Sequence, residues 1–352
     1  MSTIKKVAGL AGVSIGTVSH VLSGSVPVSD RLRRKVLAAI RDLDYHPNHI
    51  ARSLKTNKSL TIGIVVPDMT IPFFPHVIQG AEEAARASGY SILAVNSGDN
   101  SARQQEVLSL LRSQRVEGIL LVVAPGPASI AQIPRILESG IPLVCLDRVP
   151  GGIEIDTVCV EDRQAAAMGV SHLTSLGHRR IAILTGPLTL KNEQERLNGY
   201  KAALEEAGLP VENSLIWEST FNLDEVTSLC CQHLSGRSDS GANARPTALF
   251  ATNGVTALGA LRGLRACNMT TPEDIAFATF DELTVEDIFR PSITSVVQPA
   301  HAIGHKATEI LLQRIEARSN SGPRIEVRLP AQLKIRESSG AQRTGAAGLT
   351  IP

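Results

Sequence analysis

The sequence predicts an all-α head followed by a two-lobed α/β body built on parallel sheets. Three observations lead there. Residues 1–45 carry apolar side chains at helical spacing, punctuated by capping residues and a glycine turn. From Leu60 onward, short runs of Val, Ile and Leu alternate with helical stretches. The basic charge is gathered at the start: residues 1–60 hold ten Lys/Arg against three acids, a net +7, while the remainder is −6.

In the head, Thr3 is placed to cap a helix with Ile4, Val7, Ala8 and Ala11 on one face. Gly12-Val13 makes a tight turn. Ser14 then caps a second helix, Ile15 to about Leu22, with Val18, Val21 and Leu22 inward. Ser29 caps a third, Asp30 to Leu43, with Leu32, Val36, Ile40 and Leu43 at helical spacing. Tyr45-His46-Pro47 ends the module, giving a head of residues 1–46. Residues 47–59 read as a linker. Asn48 to Lys55 can be helical, but so short a helix is marginal in water and needs a packing partner.

In the body, the expected strands are 61–66, 91–95, 118–123, 142–146, 180–185, 247–252 and 274–280. Helical stretches are expected at 75–88, 104–114, 162–176, 193–207, 223–234 and 257–267. The body, 60–338, divides into one lobe of about 60–160 plus 291–322 and a second of about 161–290 plus 323–338. Two similar lobes facing each other leave a cleft between them. Residues 339–352 are small and polar and read as a disordered tail.

The remaining composition narrows the function classes. No apolar run is long enough to cross a bilayer, and the first residues lack the apolar stretch of a secretory signal, so a cytoplasmic location is expected. The five cysteines match neither a zinc site nor a disulfide framework. No cofactor or metal is expected. No G-x-G-x-x-G, P-loop, G-x-S-x-G or H-E-x-x-H pattern is present, which argues against an enzyme. A basic head on a mildly acidic body points to a polyanionic partner for the head alone.

The stretch Thr3-Ile4-Lys5-Lys6-Val7-Ala8-Gly9-Leu10-Ala11-Gly12-Val13-Ser14-Ile15-Gly16-Thr17-Val18-Ser19-His20-Val21-Leu22 supplies what a helix-turn-helix needs. The first helix is small-sided, a glycine sits at the turn, and the second helix presents Ile15, Gly16, Thr17, Ser19 and His20 outward. This stretch resembles the head of the LacI/GalR repressor family, except that Lys6 stands where the family usually has Asp. The resemblance continues through residues 3–338. Its markers include Gly63-Ile64-Val65-Val66-Pro67-Asp68, Leu146-Asp147-Arg148, Leu176-Gly177-His178-Arg179-Arg180-Ile181, Phe280-Asp281 and Thr294-Ser295-Val296-Val297-Gln298-Pro299.

The resemblance implies a periplasmic-binding-protein-like (type I) body and a homodimeric transcription repressor. Such a repressor binds a pseudo-palindromic DNA operator under small-molecule control. It places Ile15, Gly16 and His20 at the base edges of the major groove, with Thr17 and Ser19 at phosphate or in local caps. It makes Asn48–Lys55 a hinge helix whose Leu54 wedges into the minor groove, flanked by Arg52 and Lys55. It assigns effector contacts to Phe73, Asp147, Asn192, Arg196, Phe221, Asn253, Asp281 and Gln298. One family position departs: the usual Asn-Asp pair is Asn253-Gly254 here. Mixed donors and acceptors with flat apolar faces suit a sugar or sugar derivative, a purine being the second choice. The rival reading is a solute-binding receptor without specific DNA binding, against which the fused head argues.

Overall fold

The computed structural model describes residues 3–23, 26–45, 58–235, 245–283, 290–317 and 322–340. The expected hinge residues Arg52, Leu54 and Lys55, and the tail from 341, lie outside the described residues. The chain forms two compact units, 1–59 and 60–352.

The first unit contains α1 (Ile4–Ala11), α2 (Ile15–Ser23) and α3 (Asp30–Asp42). Two caps work as the sequence predicts. The Thr3 hydroxyl accepts from the Lys6 amide, and Ser14 Oγ accepts from the Thr17 amide at 3.1 Å. Gly12 ends α1 at φ +65°, a left-handed conformation that suits glycine. The core is Val7, Ala8, Ala11, Val18, Val36 and Ala39. Two expectations fail locally. Leu32 lies on the solvent side at 36% exposure, while Val36 and Ala39 are the buried residues of α3, and Ser29 makes no side-chain cap bond to α3.

The second unit holds two six-stranded sheets. Its strands are β1 (Thr61–Val66), β2 (Ser91–Asn96), β3 (Gly118–Leu121), β4 (Leu143–Leu146), β5 (Asp156–Val160), β6 (Ile181–Thr185), β7 (Ile216–Glu218), β8 (Ala248–Ala251), β9 (Ala276–Phe280), β10 (Thr294–Val297), β11 (Glu326–Leu329) and β12 (Gln332–Lys334). The first sheet runs β11-β5-β4-β3-β1-β2 and the second β12-β10-β9-β8-β6-β7. The two orders correspond strand for strand. Every pairing is parallel except β10 with β12. The helices are α4 (Phe73–Ala87), α5 (Ser101–Ser113), α6 (Pro127–Ile130), α7 (Ile133–Glu138), α8 (Asp162–Ser175), α9 (Lys191–Glu206), α10 (Leu223–Leu234), α11 (Gly254–Ala266) and α12 (Ala300–Ala317).

The lobe boundaries need correction after residue 290. β10 belongs to the second lobe, α12 packs on α4 in the first, β11 pairs with β5 in the first, and β12 returns to the second. The chain therefore crosses between lobes after β5, after β10 and again between β11 and β12. The supposed tail also starts late. Ser339 is fully buried, its hydroxyl 2.9 Å from both His172 Nε2 and Thr294 Oγ1. β5 escapes a hydrophobicity reading because it opens on Asp156. That carboxylate is buried and accepts from Arg314 Nε at 2.7 Å, Arg314 Nη2 at 2.9 Å and the Ile325 amide at 2.9 Å.

Each lobe contains a close helix–helix crossing. A Cβ on Gly80 of α4 would run into the His301 carbonyl of α12, and one on Gly304 into the Val77 carbonyl. In the second lobe, a Cβ on Gly199 of α9 would run into the Arg163 carbonyl of α8. Backbone cannot yield here as a side-chain tip can. Gly304→Ala is expected to destabilise the body by about 2 kcal/mol or more, read as a lower urea midpoint at unchanged slope. An unchanged midpoint would show that the crossing can widen freely.

Candidate functional site

The eight side chains assigned to effector contact all line one cavity between the lobes: Phe73, Asp147, Asn192, Arg196, Phe221, Asn253, Asp281 and Gln298. The topology explains the convergence. Most of these residues sit in a loop, or in the first turn of a helix, just beyond the carboxyl end of a strand, where open α/β sheets bind ligands. Asp147 follows β4, Phe221 follows β7, Asn253 follows β8, Asp281 follows β9 and Gln298 follows β10. Asp147 and Asp281 both adopt positive φ, +63° and +76°. Asp tolerates this left-handed backbone better than most residues. Because β4 and β9 occupy the same place in the two sheet orders, the two aspartates are counterparts.

Arg196 is the centre of the site. It is 2% exposed, its Nε donates to Asp162 Oδ1 at 2.8 Å, and its Nη1 donates to the Thr252 carbonyl at 2.8 Å. Its guanidinium lies 3.9 Å from the Phe280 ring centroid, a cation–π contact. Glu193 stands behind it, fully engaged: it accepts from the Gly186 amide at 3.0 Å, from Thr252 Oγ1 at 2.5 Å and from Asn253 Nδ2 at 3.1 Å. Asn253 is also the N-cap of α11, its Oδ1 accepting from the Thr256 amide at 2.9 Å. Its amide is thus committed to local structure on both sides. Gln298 Nε2 donates to Asp281 Oδ1 at 2.6 Å.

Sequence reasoning missed Asp99, Arg148, Asp162 and Glu193. Arg148 forks onto Asp99 at 2.5 and 3.2 Å, and its guanidinium lies 5.1 Å from the Phe221 ring centroid on the other lobe. Asp99 comes from the loop after β2 and Asp162 from the start of α8. Only the meeting of distant loops marks them out. For Arg148 a local signal does exist, since it directly follows Asp147 at the end of β4.

Four buried polar atoms in this cavity have no hydrogen-bond partner: Arg148 Nε, Arg196 Nη2, Asn192 Oδ1 and Gln298 Oε1. Two are donors and two are acceptors. Orphaned buried polar groups are costly, and a ligand is one way to satisfy them. The cavity measures about 40 Å³, well below the usual 300–1,000 Å³ of ligand sites, so a sugar-sized occupant requires the lobes to part. A larger cavity of about 740 Å³ adjoins it and shares Phe73, Asp281 and Gln298.

Burial pushes the Asp147 carboxyl up to about 6, against the pull of Arg196 and Arg148 and with help from Asp281 and Glu193. Burial likewise pushes Asp162 up to about 7, with Asp147 and Glu193 adding to the shift. Asp281 is raised by the same cause. Burial works against the Arg196 charge too, but the surrounding carboxylates, Asp162 first, outweigh it and hold the guanidinium ionised. Among the described residues no group of His, Cys, Asp and Glu could hold a metal ion.

In the head, Ile15 is 45% exposed and Gly16 is also exposed, with only Ser14 Oγ near a hypothetical Cβ. Ser19 and His20 are half-buried. Thr17 is tied to Ser14, the two hydroxyl oxygens 2.9 Å apart, so it serves the cap of α2. Lys5, Lys6, Arg31, Arg33, Arg34 and Lys35 are all exposed.

Comparison with known proteins identifies the family. Residues 3–48 match the family described as bacterial regulatory proteins, lacI family. Residues 59–337 match periplasmic binding proteins and sugar binding domain of LacI family. The chain is 32% identical over 320 residues to the HTH-type transcriptional repressor PurR of Photobacterium profundum, covering 91% of this chain and 94% of that protein. It is 34% identical over 316 residues to PurR of Vibrio vulnificus, covering 90% and 92%. Among solved structures, the transcriptional regulator CelR–cellobiose complex is 30% identical at TM-score 0.70, covering 96% of this chain and 100% of that one. The lac repressor dimer bound to operator and the anti-inducer ONPF is 25% identical at TM-score 0.80, covering 96% and 99%.

Arg196→Ala strands Asp162 and Glu193 as buried charges and is expected to cost about 3–5 kcal/mol in urea unfolding. A loss below about 1 kcal/mol would remove Arg196 from the centre of the site. A second expectation concerns pH. The Asp147 carboxyl is raised above its ordinary 3.8, so its favourable contribution is complete below about pH 4 and lost as pH rises through about 6. Asp147→Asn should flatten the fall in urea midpoint between pH 4 and 6, by on the order of 2 kcal/mol. Parallel profiles for the two proteins would refute the shift.

Proposed function

The chain belongs to the LacI family of bacterial regulatory proteins and is a DNA-binding transcription regulator under small-molecule control; on that premise we propose how its residues divide the work. It acts in the cytoplasm as a homodimeric repressor. Two heads engage the two halves of a pseudo-palindromic operator. Ile15 and His20 read base edges, Ile15 by apolar contact and His20 by hydrogen bonding. Gly16 leaves room where a side chain could otherwise add readout. The exposed Lys and Arg of α1 and α3 supply phosphate neutralisation, which makes affinity fall steeply with salt.

Residues 47–59 link the two units. We assign Leu54 to the minor-groove wedge and Arg52 and Lys55 to its flanks. The effector occupies the cleft between the lobes, contacting Arg196, Asp147, Asp281, Asn192 and Gln298, with Phe73 and Phe221 as flat walls. The observation that carries this reading is the group of four orphaned donors and acceptors in one buried cavity. A sugar is the favoured class, in keeping with the cellobiose held by the similar CelR. Asn253 takes part as the residue that ties Glu193 to α11.

In vitro selection from random duplexes should return an inverted repeat, bound with a steep salt slope. His20→Ala should relax the preference at one base pair per half-site by about 1–3 kcal/mol. A protein that stays monomeric at all working concentrations and selects no inverted repeat would overturn the reading.

A further inference from the structure

The five cysteines divide by burial. Cys145, Cys159 and Cys230 are at most 1% exposed, whereas Cys231 and Cys267 are half-buried. The two that reach the surface are far apart in the chain, yet they lie side by side where α10 crosses α11.

The crossing explains how they meet. Gly259, Gly263 and Cys267 follow one another a helical turn apart on the face that α11 turns to α10. A Cβ on Gly259 would come within 2.3 Å of Val226 Cγ1. One on Gly263 would come within 2.7 Å of Cys230 Cβ and 3.1 Å of the Thr227 carbonyl. The helices therefore approach too closely for a larger side chain at either position, and one turn further on two short cysteine side chains come within reach. The Cys231 thiol donates to the Gly263 carbonyl at 3.4 Å, and the Cys267 amide donates to the same oxygen at 3.0 Å. Ser235, one turn beyond Cys231, has its Oγ 4.0 Å from Cys267 Sγ. The two thiols are also in hydrogen-bond contact with each other. The neighbouring Cys230 is turned into the core of the lobe, where its thiol donates to the Ala260 carbonyl at 3.7 Å.

We propose that Cys231 and Cys267 form a redox modification site, closed to a reversible disulfide by exchange with a low-molecular-weight disulfide such as oxidised glutathione. One protein thiolate attacks a sulfur of the small disulfide, forming a mixed disulfide and releasing one small thiolate. The second protein thiolate attacks the protein sulfur of that mixed disulfide and expels the other small thiolate. Two protein thiols and one small disulfide become one protein disulfide and two small thiols. Burial, with the Cys267 thiol beside it, holds the Cys231 thiol above its ordinary value, so its thiolate is scarce and exchange is slow. The link fastens together two helices that start at the cleft, α10 directly after Phe221 and Asn222, and α11 directly after Asn253.

The full chain is incubated at pH 8 with excess oxidised glutathione, blocked with iodoacetamide, digested and mapped by mass spectrometry. Free thiols titrated in denaturant are expected to fall from five to three. The map should show Cys231 joined to Cys267 within one chain, a link that dithiothreitol reverses. Cys267→Ser should lose that link, and Cys230→Ala should keep it. Five thiols still free, glutathione adducts without a protein disulfide, a link through Cys230, or a link between two chains would each overturn the inference.

Discussion

Arg196 is a full positive charge held almost entirely out of water, and the body's cleft is arranged around that fact. Removing such a charge from solvent is costly unless carboxylates and carbonyls replace the water. Here the replacements come from distant parts of the chain: Asp162 at the crossover into α8, the Thr252 carbonyl at the end of β8, and Asp147 from the opposite lobe. The same pairing that stabilises Arg196 overloads the site with acid. The carboxyls of Asp147, Asp162 and Asp281 are all raised, with burial the largest cause and mutual crowding behind it.

Repetition of one sheet order in both lobes supplies the geometry. The strand ends of both sheets deliver loops to a common cleft, and the equivalent strands β4 and β9 each end in an aspartate with left-handed backbone. Arg148 against Phe221 is a contact that spans the lobes. The small cavity and the three chain crossings make lobe movement the natural variable for an effector to bias. Glycines at the α4–α12 and α8–α9 crossings let the helices of each lobe pack backbone against backbone.

The head follows a different physical logic. Its core is six small or medium side chains, and its stability leans on caps at Thr3 and Ser14 and on the left-handed Gly12. Such a core leaves the first turn of α2 open, with Ile15 and Gly16 at the surface. The positive charge of the chain is concentrated in its first sixty residues, apart from the acidic body.

Local chemistry was legible in the sequence because it is local. Caps, turn glycines and helical spacing act within four residues, and the apolar runs of β1, β6 and β9 announce strands buried on both faces. The motif resemblance carried the eight cleft positions as a set. What the sequence left open depends on partners far along the chain. The assignment of β10 and β11 to their sheets turns on which strand edge is available, and an apolar run reads the same for either. β5 hid behind Asp156, whose burial makes sense only beside Arg314. Asp99 gained its role from the buried Arg148, and Asp162 and Glu193 theirs from the buried Arg196, residues far apart in the chain. The sequence by itself determined the elements and the charge they carry. The tertiary structure decided which charges face each other without water, because only proximity in a low-dielectric interior turns scattered acids and arginines into one coupled site.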